Sequence, residues 1–279
     1  PLIIGQFGSN TSFTASRTHF AAGTDAADKI KEIAAIDLGG EASDYTLANG
    51  QVSRNGSGND QSLSLGEVAA RAIEIGGKYS GQVAPENILP PTVAALKAVE
   101  GLGLVGIAND ALSKEQEVGA YAAGFVEIEL DPKTGQIEIL DYLGVADCGT
   151  VMHPQSLATQ IKGAAVMGFG MAVTEGIAYD PQNGLAANVG LYQAKPPSYL
   201  DVPSVMRADA LNLPDPQNPV GIKGIGEPVL GCAASAFICA VSEALGGYYF
   251  KRTPVRTDMI VNAAAGTKLS QSPLQKHSQ

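Results

Sequence analysis

A glutamate between a glycine-rich turn and an apolar helix is the residue of this sequence with the clearest potential for chemistry. Glu227 lies in Gly224-Ile225-Gly226-Glu227-Pro228, and an apolar stretch over 229–245 follows it. The N–H groups at a helix N-terminus favour a carboxylate anion, whereas burial among apolar neighbours favours the protonated acid. A carboxylate under these opposed influences is a candidate general base, and the alternative is a glutamate that only caps the helix.

Two further segments carry candidate binding groups. The segment 145–154 (VADCGTVMHP) leads into a helix predicted over about 156–175, which contains Gln160 and three glycines. Glycines inside a helix indicate a close approach of either another backbone or a ligand. Residues 1–20 are rich in Gly, Ser, Thr and Asn, which predicts either a surface loop or a loop that wraps a polar ligand.

A GxGxxG spacing at 101–106 (GLGLVG) does not favour a dinucleotide site. It follows a helical pattern rather than a strand, and no clear helix begins after it. The sequence therefore predicts a loop there and not a nucleotide-binding enzyme.

Three segments in order along the chain resemble the molybdenum hydroxylases, the family of xanthine dehydrogenase and aldehyde oxidoreductase. They are the stretch 10–16 (NTSFTAS), the stretch 145–154 with the helix residues 160–170, and the stretch 224–228 with Ala233-Ala234-Ser235. Together they span residues 1 to about 265. Catalytic subunits of this family are much longer, so the resemblance implies that this chain is the C-terminal half of a molybdenum subunit. It would be either a separate subunit of a split enzyme or a fragment.

The resemblance also implies the cofactor and the roles of particular residues. Molybdenum would be held by the dithiolene of molybdopterin, in its cytosine dinucleotide form, with no protein side chain as metal ligand. Glu227 matches the glutamate that takes a proton from the metal-bound hydroxyl, so that a water-derived oxygen enters a C–H bond of an aldehyde or an aromatic N-heterocycle. Gln160 matches a glutamine that hydrogen-bonds the pterin, and Gly226 adjoins the cofactor.

The loop that matches the family's pterin-contacting loop comprises Ala15, Ser16, Arg17, Thr18 and His19. Arg17 and His19 stand where the family pattern has small hydroxyl residues. Arg17 is therefore expected either to contact a phosphate of the cofactor or its nucleotide extension, or to have a structural role.

The partners implied by the resemblance are other protein chains and a small-molecule substrate. They are the N-terminal half of the molybdenum subunit as a separate chain, an iron–sulfur subunit with [2Fe–2S] clusters, and a subunit that carries FAD or haem. An alternative from another class is a non-catalytic binding or assembly subunit that keeps the fold without the metal. A molybdenum analysis together with a pterin assay distinguishes the two.

The expected fold is α+β, with antiparallel sheets and packed helices in two similar lobes, 1–120 and 121–265, and a polar tail over 266–279. The sequence predicts helices and hairpins, which in chain order are a helix over 22–35, a hairpin over 45–53, a helix that begins after Ser64, irregular chain over 78–115, a hairpin over 125–142, and helices over about 156–175 and 229–245. Cys232 and Cys239 lie seven residues apart on one helical face, which predicts buried thiols.

Composition excludes several function classes. A net charge of −10 argues against nucleic acid and anionic membranes as partners. No uninterrupted apolar run reaches the roughly 18 residues of a membrane helix, and no signal segment is evident. Three cysteines without a CxxC pair predict neither a disulfide framework nor a zinc site, and they are typical of a reducing, cytoplasmic environment.

Overall fold

The computed structural model describes residues 7–56, 61–110 and 118–268, and the chain divides into two compact units. Unit 1 comprises residues 1–117 together with the short segment 216–220. Unit 2 comprises residues 118–215 and 221–279. The first change of unit along the chain therefore falls between residues 117 and 118. Most of the predicted polar tail, 269–279, lies outside the described residues.

Unit 1 packs helices against a small antiparallel sheet of order β1-β2-β3. Its elements are α1 (Thr11–Leu38), β1 (Tyr45–Ala48), β2 (Gln51–Arg54), β3 (Ser62–Ser64), α2 (Leu65–Ile75) and α3 (Pro90–Lys97). The predicted hairpin is confirmed, because Asn49 and Gly50 both adopt the positive φ of a tight turn between β1 and β2. The predicted start of α2 is also confirmed: the Ser64 hydroxyl accepts from Glu67 N, and Glu67 bonds back to Ser64 N.

Two expectations for unit 1 were wrong. The polar stretch 11–20 is not a loop but the first part of α1, where several hydroxyls bond to carbonyls of their own helix: Thr14 donates to the Asn10 carbonyl and Ser16 to the Ser12 carbonyl. The region 78–115, predicted to be irregular, contains α3, which begins at Pro90, a residue well suited to the first helical turn. The described residues 101–106 form a loop as predicted, and 111–117 lie outside the described residues.

Unit 2 places two long helices on a three-stranded sheet of order β4-β5-β6. Its elements are β4 (Ala122–Leu130), β5 (Ile137–Ala146), α4 (Pro154–Val173), α5 (Leu191–Ala194), β6 (Met206–Ala210), α6 (Glu227–Ala244) and α7 (Thr257–Ala264). The predicted hairpin is confirmed as β4–β5, and α4 and α6 lie within two residues of their predicted bounds. The pair β5–β6 is parallel, which adds to the antiparallel pairs that were expected. The mixture of helices and sheets is the expected α+β class.

Two expectations about helix α6 need correction. Cys239 is exposed and Cys232 is half-buried, so the prediction of two buried thiols on this helix was wrong. By length and composition alone, α6 could also cross a membrane. This was not predicted from the sequence, because only uninterrupted apolar runs were considered. Core helices pass the same test, and here Val229, Ala233, Phe237 and Val241 form a buried row in the core of unit 2.

Candidate functional site

Glu227 is the first residue of α6, and its carboxylate is exposed. Pro228 follows it in the first turn, where the missing N–H costs no helical hydrogen bond. The expected burial of Glu227 is therefore wrong. The reason is helical geometry: Val229 opens the buried row of α6, and a residue two positions earlier is rotated about 200° from it, away from the core.

The turn that presents Glu227 is fastened to the segment that follows β5. Gly149 and Ile222 form an antiparallel bridge, in which Thr150 N donates to the Gly221 carbonyl at 2.7 Å and Lys223 N donates to the Cys148 carbonyl at 2.8 Å. Gly149 has a φ of +67°, and a Cβ at this residue would overlap the Gly221 carbonyl oxygen. Only glycine therefore permits this crossing of two backbones.

Gln160 lies on the exposed side of α4, next to an open surface. His153 caps α4, since its Nδ1 accepts from Ser156 N at 3.0 Å. Gly163, one helical turn beyond Gln160, is exposed, and a Cβ there would meet nothing within 4 Å. By contrast, a Cβ at Gly168 would overlap the Leu230 carbonyl oxygen of α6. The expected close packing of helices is thus confirmed at Gly168, whereas Gly163 lies on an open face of α4.

The residues matched to a cofactor loop lie on the first turns of α1, in unit 1. Arg17 is only 3% exposed, and its guanidinium donates to Asp110, with Nε 2.7 Å from Oδ2, and to the Gln217 carbonyl at 2.6 Å. Asn218 Nδ2 donates to Ser16 Oγ at 2.7 Å. These contacts hold Arg17 within unit 1, as its expected structural role requires, and its contact with a cofactor phosphate stays a prediction.

The neighbouring residues of this group are more open. Thr18 lines a cavity of about 340 Å³ bounded by α1, α3 and the segment 105–110. His19 is exposed, with Nδ1 2.7 Å from the Ala15 carbonyl oxygen. The structure thus keeps Ala15, Ser16, Arg17, Thr18 and His19 together within unit 1, whereas Gln160, Gly226 and Glu227 belong to unit 2.

Comparison with known families decides what these segments belong to. Residues 3–203 match the molybdopterin cofactor-binding domain. The chain belongs to that family. The match includes Gln160 and the α1 residues and ends before Glu227. The resemblance to the molybdenum hydroxylases is confirmed, since the relatives are molybdenum-binding subunits of this group of oxidoreductases.

Two curated relatives show the extent of the likeness. The gamma subunit of the 6-hydroxypseudooxynicotine dehydrogenase complex of Paenarthrobacter nicotinovorans is 28% identical over 265 residues, which is 94% of this chain and 30% of the relative. The molybdenum-binding subunit PaoC of the aldehyde oxidoreductase of Escherichia coli K12 is 31% identical over 146 residues, 52% of this chain and 19% of that subunit. The chain thus spans at most about a third of the length of these relatives.

Solved structures share the fold of this molybdopterin-binding chain. The CO dehydrogenase of Oligotropha carboxidovorans superposes with a TM-score of 0.71 at 21% identity, covering 95% of this chain and 30% of that one. The quinoline 2-oxidoreductase of Pseudomonas putida 86 superposes with a TM-score of 0.63 at 23% identity, covering 86% of this chain and 28% of that one. At such identities the superpositions establish the fold.

Unit 2 presents polar groups that would suit a molybdopterin. Across residues 7–56, 61–110 and 118–268, no three His, Cys, Asp or Glu side chains converge so as to hold a metal ion. What the molybdopterin-binding chain offers instead is an exposed amide at Gln160, open space above Gly163, and the first-turn N–H groups of α6. An amide and backbone N–H groups suit the polar edge of a pterin, and a helix N-terminus suits an anionic group.

A buried lysine beside the Glu227 turn was missed by the sequence reasoning. Lys223 Nζ lies 2.7 Å from Asp147 Oδ2 and 3.8 Å from Asp215 Oδ2, with all three side chains largely buried. Burial also raises the pKa of the adjacent Cys148 thiol. The sequence did offer one signal for this cluster, because Lys223 stands in a glycine-rich apolar stretch four residues before Glu227. Its partners could not be predicted, since Asp147 is distant in sequence.

Proposed function

We propose that this chain is the part of a molybdenum hydroxylase that supplies Glu227 as general base and holds one side of the molybdopterin. The reaction is the insertion of a water-derived oxygen into a C–H bond of an aldehyde or an aromatic N-heterocycle. The observation that carries the proposal is an exposed carboxylate on a fastened turn at the head of α6. A base presented in this way is accessible to a ligand yet held in place, as proton transfer requires.

Each candidate residue has a defined task in this proposal. When bound, the cofactor supplies a redox-active metal that accepts two electrons from the substrate. A carboxylate oxygen of Glu227 accepts a proton. The amide of Gln160 donates to and accepts from the pterin edge, and the backbone at Gly226 lets the cofactor approach the first turn of α6. Within unit 1, Ala15, Ser16, Thr18 and His19 of α1 are the proposed cofactor-binding residues, and the proposed form of the cofactor is the cytosine dinucleotide.

The test of Glu227 uses the assembled enzyme. Because general base catalysis contributes roughly 10²- to 10⁴-fold to a rate, Glu227→Gln is expected to lower kcat by a factor in that range while molybdenum and pterin contents stay normal. Glu243→Gln, which changes an exposed glutamate near the other end of the same helix, is the matched control and should keep full activity. Full activity of Glu227→Gln removes this residue from the mechanism. An intact complex without molybdenum favours the non-catalytic alternative.

An exposed apolar segment supports the proposal that this chain binds the companion portion of the molybdenum subunit. In the segment 177–205, polar side chains bond to the neighbouring backbone; Asn188 Nδ2, for example, donates to the Gly176 carbonyl at 2.7 Å. The large apolar side chains of the same segment are exposed. Tyr199 is 98% exposed and Leu200 is 96% exposed. Exposed apolar surface of this extent marks an interface. We assign it to the two-thirds of the subunit that the relatives carry in addition.

The remaining partners follow from the proposed reaction. The proposed partners are an iron–sulfur subunit with [2Fe–2S] clusters and a further subunit with FAD or haem, which would supply the route for the electrons that the reaction releases. The described cysteines Cys148, Cys232 and Cys239 are free thiols, which supports a reducing, cytoplasmic location for the complex.

A further inference from the structure

The turn ahead of Glu227 carries a largely buried cluster of charged side chains, and the proposed chemistry assigns no task to it. Lys223 Nζ contacts Asp147 Oδ2 at 2.7 Å, Asp215 Oδ2 at 3.8 Å and the Gly119 carbonyl oxygen at 3.2 Å. The exposed fractions of the Lys223, Asp147 and Asp215 side chains are 14%, 13% and 8%. One ammonium thus joins three separate parts of unit 2.

The same residues are also joined through their backbones. Gly221 carbonyl oxygen accepts from both Thr150 N at 2.7 Å and Asp215 N at 2.9 Å, and Asp147 Oδ1 accepts from Gly149 N at 3.4 Å. The ammonium of Lys223 therefore closes a network that already holds the turn at Gly221 from two sides.

This network ends just before the catalytic candidate. Only residues 224–226, two of which are glycines, separate Lys223 from Glu227. Such a short glycine-containing link has no apolar side chain except Ile225 to hold it against the core. The position of the Glu227 backbone is therefore set by three attachments: the packed start of α6 on one side, and Ile225 and Lys223 on the other.

We propose that Lys223 is a positioning residue for Glu227: its ammonium, held between Asp147 and Asp215, fixes the glycine turn that aims the Glu227 carboxylate. This inference rests on the proposed function of Glu227. A buried lysine is a costly means of simple packing, because taking the charge out of water must be offset by its partners. The ion pairs of Lys223 fix the orientation of the turn before Glu227, which an apolar side chain of similar length would not do.

The experiment compares Lys223 variants in the assembled, molybdenum-loaded enzyme. Lys223→Met removes the charge at similar length, Lys223→Arg retains it, and Lys133→Met changes an exposed lysine in the β4–β5 turn as a control. Since a displacement of about 1 Å at a catalytic group costs on the order of 10²-fold, we expect Lys223→Met to lower kcat by roughly 10- to 100-fold with KM little changed. Lys223→Arg should recover most of this loss, and Lys133→Met should behave like the parent enzyme.

Hydrogen exchange supplies a readout that does not depend on turnover. In Lys223→Met, amide exchange should accelerate in peptides over 145–153 and 219–229 and stay unchanged elsewhere, with normal molybdenum content. Unchanged kcat, unchanged exchange, or equal loss of fold and metal in the Met and Arg variants would each overturn the positioning role. If Lys223→Met does not accumulate, Asp215→Asn replaces it in the test, because this variant keeps the closer contact with Asp147. Asp215→Asn should show the same fall in kcat and the same faster amide exchange, both smaller in size. An Asp215→Asn enzyme identical to the parent would overturn the proposal.

The outcomes separate this inference from the function on which it rests. An active Glu227→Gln enzyme contradicts the proposed base, whatever the exchange data show. An inactive Glu227→Gln enzyme with a fully active Lys223→Met enzyme contradicts only the positioning role.

Discussion

Two glycines of the same helix should respond in opposite directions to the same substitution. At Gly168, a Cβ would overlap the Leu230 carbonyl oxygen and lie 3.0 Å from Ala234 N and 3.2 Å from Ala233 Cβ. The first two obstacles are backbone atoms of α6, so they cannot rotate away. At Gly163, five residues earlier in α4, the same Cβ would meet nothing within 4 Å.

The expected free energies follow from two opposed contributions. Alanine stabilises a helix interior by about 1 kcal/mol relative to glycine, and this contribution is common to both sites. Forcing an extra group into a packed contact costs about 1–3 kcal/mol. Gly163→Ala should therefore raise the free energy of unfolding by about 0.5–1 kcal/mol, whereas Gly168→Ala should lower it by up to about 2 kcal/mol once both contributions are counted.

Thermal unfolding followed by circular dichroism and calorimetry measures the difference. For a domain of this size, 1 kcal/mol corresponds to a Tm change of about 2–4 °C, so the two variants should differ by several degrees. A Gly168→Ala protein as stable as Gly163→Ala would show that α4 and α6 do not approach as closely as described. A destabilised Gly163→Ala protein would show that the face beside Gln160 is covered by other parts of the protein.

Two other predictions concern surface groups. Replacing both Tyr199 and Leu200 by Asp should abolish co-purification of the chain with its companion. Leu102→Asp, at another exposed apolar side chain, is the control and should leave co-purification intact. Retention of the companion by the double variant would refute the assigned interface. Iodoacetamide at pH 8 should modify exposed Cys239 quickly and Cys148 only on unfolding, because burial raises the pKa of the Cys148 thiol and shields it. Mass spectrometry of the labelled peptides checks this, and equal labelling of both thiols in the folded chain would contradict the described burial.

Elements with local signals were predictable from the sequence. The β1–β2 turn depends on Asn49 and Gly50, which adopt left-handed conformations readily, and the start of α2 depends on a reciprocal pair three residues apart. The β4–β5 hairpin combines alternating side chains with a turn in which the Asp131 carboxylate accepts from Lys133 N at 2.8 Å. Each of these signals lies within a few residues of the structure that it specifies.

Features set by distant partners were not predictable. Strand β6 pairs in parallel with β5, with Tyr142 opposite Met206, and no local pattern reveals such a register. The ion pair of Lys223 with Asp147 joins residues 76 positions apart. The expected burial of Glu227 was wrong because it was inferred from the apolar neighbours of this residue. At the start of a helix, the direction of a side chain depends instead on which residues of the helix face the core, and in α6 this buried row begins at Val229.

The α1 contacts narrow how a cofactor phosphate can be bound by this part of the chain. Arg17 already donates to both carboxylate oxygens of Asp110 and to a backbone carbonyl, and it is almost fully buried. Breaking a buried ion pair costs about 3–5 kcal/mol, more than an exposed phosphate contact returns. Because His19 is the other basic residue among the five matched to the cofactor loop and its ring is exposed, a phosphate that reaches α1 is better served by His19 than by Arg17. Internal packing thus accounts for an arginine at position 17, and contact of His19 with the cofactor stays a prediction.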